Sequence, residues 1–122
     1  MKFGDYIKIN RLKRKLSIAK AAKLLGISSS YLSSLESGSR HAPSFELQQK
    51  IADVLGLSKY ERHLLFDLAA ESKKTPALAD DLNKYIYQNI IIRDMLRYSM
   101  ECSISDNDWE TIFSFIKKNY HY

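Results

Sequence analysis

The segment from Ser17 to Gly38, SIAKAAKLLGISSSYLSSLESG, leaves little freedom in how this chain can fold. Ser17 is a strong helix N-cap, and Ile18, Ala21, Ala22 and Leu25 follow at i, i+3, i+4 and i+7, the spacing of a short helix with one apolar face. Gly26 has no Cβ and can take the left-handed backbone that ends such a helix in a tight turn. Ile27 can then anchor the turn, and Ser28 or Ser29 can cap a second helix in which Leu32 and Leu35 point one way. Ser29, Ser30, Ser33 and Ser34 are left largely outside. Ala21 and Ala22 fall where the two helices should cross, and bulkier side chains there would hold them apart. Two short helices joined by such a turn form a helix-turn-helix.

The flanking sequence supplies more helices. A first helix is expected from about Phe3 to Lys15, with Phe3, Tyr6 and Ile7 inward. Asn10 shares that face, so it either finds a hydrogen-bond partner or sits at the margin. After the motif, Ser37 to Pro43 reads as a polar loop, because Pro43 disfavours helix at Ala42. Ser44 then caps a fourth helix carrying Leu47, Ile51, Val54 and Leu55, and Gly56 ends it. Ser58 and Glu61 have capping-box spacing and open a fifth, with Tyr60, Leu64, Leu65 and Leu68. A boundary is expected between Glu71 and Pro76. Beyond it Leu78, Leu82, Tyr85 and Ile86 repeat at helical spacing, as do Ile92, Met95 and Leu96. Ser105 and Asp108 make another capping box ahead of Trp109, Ile112, Phe113 and Ile116. The expectation is an all-α chain, with one domain over residues 1–72 and a helical extension over 76–122 of about three helices.

Charge is unevenly spread over this arrangement. Residues 1–25 carry eight basic side chains against Asp5 alone, whereas from Thr75 onward five basic residues face seven acidic ones. A basic end beside a helix-turn-helix points to a polyanion-binding module, joined to a mildly acidic one. Lys13, Arg14 and Lys15 complement the carbonyl end of the first helix, and the same charges can reach phosphate. The single Cys102 allows no intramolecular disulfide, and it and the absence of a signal-like or membrane-length apolar run lead to an expectation of a cytoplasmic protein with no membrane association. The three histidines, His41, His63 and His121, form no ligand cluster, so no metal or cofactor is expected. No nucleophile–base–orienter set is apparent either, which argues against an enzyme.

From Gly4 to Ser44 the chain resembles the Cro/repressor, or Xre-like, family of bacterial and phage transcriptional regulators. The resemblance is carried by Ile7, Arg11, Leu16-Ser17, Ala22, Leu25-Gly26-Ile27-Ser28, Tyr31-Leu32-Ser33, Glu36, Gly38, Arg40 and Pro43-Ser44, and it is strong through about Leu57. The chain departs from the family pattern at Asn10, usually apolar, at Ile18, usually Gln, and at Ala21, usually Leu. The resemblance implies a five-helix lambda-repressor-like DNA-binding domain and a structural ion pair between Arg11 and Glu36. It also implies a dimer on a pseudo-palindromic operator of double-stranded DNA.

In such a complex the second helix of the motif enters the major groove and the first lies across the backbone. Base contacts then fall to Ser29, Ser30, Ser33 and Ser34, and phosphate contacts to Ser17, Lys20, Lys23, Tyr31 and Arg40. Single hydroxyls discriminate less than bidentate side chains, so modest direct readout combined with DNA shape is expected. Ile92, Met95, Trp109, Phe113 and Ile116 exceed what three short helices can hide, and are expected to meet a second subunit or a different protein. The alternative function is an antitoxin-like role in which the C-terminal helices bind and mask a partner.

Overall fold

The computed structural model of the protein describes residues 1–73 and 77–122. Eight helices and no strand occur among the described residues: α1 (Phe3–Lys13), α2 (Ile18–Leu25), α3 (Ser29–Ser37), α4 (Phe45–Val54), α5 (Lys59–Glu71), α6 (Asp80–Gln88), α7 (Ile90–Cys102) and α8 (Asp106–Asn119). The chain divides into two compact units, Met1–Asn83 and Lys84–Tyr122. The expected linker, Glu71 to Pro76, runs into residues 74–76, which lie outside the described residues.

Serine hydroxyls start most of these helices. Ser17 Oγ accepts from the Lys20 amide at 3.1 Å, Ser28 Oγ from Tyr31 at 3.0 Å and Ser44 Oγ from Leu47 at 3.4 Å. Ser28, not Ser29, is therefore the cap of α3, which frees Ser29 for the helix surface. Full capping boxes open α5 and α8. The amide of Ser58 donates to Glu61 Oε1 at 2.8 Å, and that of Ser105 to Asp108 Oδ2 at 3.1 Å. Each box satisfies amides that would otherwise have no helical partner. The Ser58 bonds hold the Glu61 carboxyl below its ordinary range.

α1 ends two residues earlier than its charge pattern suggests. Lys15 adopts φ +55°, its amide donates to the Leu12 carbonyl at 2.9 Å, and the Leu16 amide reaches back to Arg11 at 3.2 Å. Those two bonds make a Schellman turn with lysine where glycine is usual. They turn the chain sharply enough for Ser17 to start α2.

The core of the first unit gathers Phe3, Tyr6 and Ile7 from α1 and Ala21, Ala22 and Leu25 from α2. Leu32 joins them from α3, with Ile51, Ala52 and Leu55 from the α4 end and Leu65, Leu68 and Ala69 from α5. The two alanines are 2 % exposed, so α2 crosses its neighbours with no room for a longer side chain. Asn10 is buried and spends its amide on the Tyr6 carbonyl at 2.9 Å, which resolves the polar group on the apolar face. In α5, Tyr60 and Leu64 stay exposed, while Phe66 and Ala70 turn to a smaller cluster with Phe45 and Ala79.

In the second unit none of α7 or α8 is buried. Ile90, Ile91, Tyr98, Met100, Phe113, Phe115 and Ile116 all stand open to solvent.

Candidate nucleic-acid interface

α3 is held on one face and open on the other. Leu32 and Leu35 are 1 % exposed and fix the inner face in the core. Glu36 fixes its far end, because its carboxylate receives two hydrogen bonds from Arg11 of α1, Nε to Oε2 at 2.7 Å and Nη2 to Oε1 at 3.0 Å. Arg11 Nη1 also donates to the Leu16 carbonyl at 2.7 Å, which ties the end of the α1 turn to the same guanidinium. The Glu36 bonds push the Arg11 guanidinium pKa up, against the opposing effect of burial. A planar guanidinium matching a carboxylate in this bidentate way sets orientation as well as distance.

Gly4 lets α1 reach α3. A Cβ on Gly4 would overlap the carbonyl oxygens of Leu35 and Glu36, so the first turn of α1 rests directly on the last turn of α3. Nothing in the local sequence marks this glycine as a contact, since it lies inside a helix and the neighbour is remote in the chain.

The outer face of α3 carries serine. Ser29, Ser30 and Ser33 are exposed, whereas Ser34 is half-buried and its hydroxyl donates to the Ser30 carbonyl at 2.9 Å. Tyr31 is half-buried at the edge of this face. At the C-terminal end the Ser34 carbonyl accepts from the Ser37 hydroxyl at 3.2 Å, the Ser39 hydroxyl at 3.4 Å and the Arg40 amide at 3.2 Å. This knot fixes the backbone of Arg40 just beyond α3.

Positive charge frames the serine face in the elements before and after it. Ser17 at the N-cap of α2, Lys20 and Lys23 on α2 and Arg40 after α3 are exposed, and among the described residues none of the three cations is in an ion pair. Lys50 of α4 adds a cation beside the motif, its Nζ lying 3.4 Å from where a Gly26 side chain would begin. Sequence reading gave no hint of that contact, because it depends on how α4 crosses α2. Arg14 is differently used: its Nε donates to the Leu55 carbonyl at 2.8 Å and its guanidinium lies over Gly56. It clips α1 to the end of α4.

The described residues contain no cluster of metal-ligating side chains and no helix long and apolar enough to cross a membrane. Ile92 and Trp109 are half-buried, and Met95, Phe113 and Ile116 exposed, all in the second unit.

Two helices set by a glycine turn, with a polar outer face on the second, define a helix-turn-helix domain. Residues 7–61 match the family model described as Helix-turn-helix. A solved structure of a SinR protein/SinI protein complex is 25 % identical, covers 94 % of this chain and 94 % of that chain, and has a TM-score of 0.49. No curated protein matches the chain.

Proposed function

We propose that the protein represses transcription by binding a pseudo-palindromic operator as a homodimer, with α3 of each subunit in the major groove. The observation that carries this reading is the asymmetry of α3. Its inner face is locked by Leu32, Leu35 and the Arg11–Glu36 pair, while Ser29, Ser30 and Ser33 face outward. Ser34 can contribute only by giving up its bond to Ser30. Serine hydroxyls both donate and accept, so base discrimination rests on several weak contacts and on DNA shape.

Affinity comes from the backbone. The Ser17 hydroxyl occupies only the Lys20 amide, which leaves the earlier amides of α2 for a phosphate at the positive end of the helix dipole. Lys20, Lys23, Arg40 and Tyr31 add contacts that position α3 without reading sequence. The second unit supplies the dimer contacts through the exposed Met95, Phe113 and Ile116 and the half-buried Ile92 and Trp109, since large apolar groups left in contact with solvent mark an interaction surface. A second reading, in which these helices bind a different protein, draws on the same exposure, and a monomeric full-length chain would favour it.

The test is the salt dependence of duplex binding for Lys20→Ala, Lys23→Ala and Arg40→Ala. Each should weaken specific and random duplex alike and reduce the log–log salt slope by about one unit for every phosphate no longer neutralised. Wild-type slopes in all three variants would refute the placement of the backbone contacts.

A further inference from the structure

A cleft of about 380 Å³ lies between the first turn of α1, the C-terminal end of α3 and the last turn of α5. Its floor is apolar, formed by the buried Phe3, Leu35 and Leu68. Its rim carries Lys2, Arg40 and His41 against one acid, Glu71. Among the described residues none of Lys2, Arg40 and Glu71 is in an ion pair, and no hydrogen bond engages the Arg40 guanidinium, although its backbone is fixed by the Ser34 carbonyl. The volume lies within the range of small-molecule sites, roughly 300–1,000 Å³. An apolar floor under an excess of unpaired cations favours a ligand with an apolar body and an anionic head.

We propose that this cleft binds a small organic anion, a carboxylate on a body about the size of one aromatic ring, and that Arg40 is shared between this anion and the DNA backbone. The proposal rests on the reading of Arg40 as a phosphate contact. The apolar body fills the space above Phe3, Leu35 and Leu68, and the carboxylate meets Arg40 and Lys2. A guanidinium turned into the cleft is lost to DNA, so occupancy lowers operator affinity, and by linkage DNA lowers anion affinity by the same factor. Glu71 opposes the anion and sets how tightly it is held.

The experiment titrates the full-length ¹⁵N-labelled protein with benzoate, with benzyl alcohol as the neutral counterpart and chloride matched throughout. Benzoate should shift the amides of Phe3, Gly4, Gly38 and Ala42 saturably, and benzyl alcohol should bind far more weakly. Glu71→Gln should tighten benzoate several-fold and Lys2→Ala should weaken it. Saturating benzoate should lower duplex affinity several-fold below that in equal chloride, and should have no such effect on Arg40→Ala. Absence of a saturable shift, equal binding of benzyl alcohol, or an unchanged duplex affinity would overturn the proposal. Duplex binding without a benzoate site defeats this proposal alone. A benzoate site in a protein that binds no duplex defeats the sharing of Arg40 together with the reading it rests on.

Discussion

Glu36→Ala perturbs the contact that orients α3. Arg11 and Glu36 side chains are 8 % and 6 % exposed, so the pair has almost no water to fall back on. Removing the carboxylate strips Arg11 of the acceptors at Nε and Nη2 and leaves only the Leu16 carbonyl at Nη1. A buried cation stripped of its partner costs about 3–5 kcal/mol. A unit of this size holds on the order of 4–12 kcal/mol in total. At about 4–8 °C per kcal/mol for small domains, the melting midpoint should fall by at least about 12 °C. Glu36→Gln keeps one acceptor and should cost less. Replacing both partners by apolar residues, Arg11→Met with Glu36→Leu, should recover most of the loss, because no charge is then left buried. Thermal unfolding followed by circular dichroism, with the ¹⁵N–¹H spectrum at low temperature, reads all three. A Glu36→Ala protein melting within about 3 °C of wild type would refute the claim that this pair anchors the helix.

Other outcomes follow from the same geometry. Gly4→Ala should destabilise the first unit by about 1–3 kcal/mol, because its methyl meets α3 backbone that cannot rotate away; a neutral melt would mean α1 does not rest on α3. Glu61 has a lowered folded-state pKa, so its cap contributes stability above the ordinary carboxylate range that is lost as pH falls through the folded value. Glu61→Gln should flatten that part of the stability–pH curve, and an unchanged curve would assign the acid sensitivity elsewhere. Phe113→Glu combined with Ile116→Glu should convert the proposed dimer to monomer in sedimentation at micromolar concentration, and an unchanged sedimentation coefficient would remove α8 from the interface.

The helices were legible because their signals are local. Ser44, Ser58 and Ser105 each stand one residue ahead of a helix, and the capping-box glutamate and aspartate lie only three residues on. The end of α1 was less legible, since Lys13, Arg14 and Lys15 mark a C-terminus without marking which residue turns left-handed. That choice is made by the Leu16 amide reaching back to Arg11. The candidate site was legible as far as its faces. Periodicity separates Leu32 and Leu35 from the serines, but it cannot show that the Ser34 hydroxyl is turned onto the Ser30 carbonyl. Nor could it assign Arg14 to the Leu55 carbonyl or Lys50 to the Gly26 turn, because both depend on helix crossings between distant segments.

Selection of bound sequences from a random duplex pool by the full-length protein tests the central claim most directly. A two-fold dimer carrying α3 into successive major grooves predicts an enriched, inverted pair of half-sites with centres about one helical turn apart, roughly 10–10.5 base pairs. The half-sites should show graded base preferences, with few invariant positions, as single hydroxyl contacts would give. A pool without enrichment, or one enriched in a single unrepeated motif, would contradict the account.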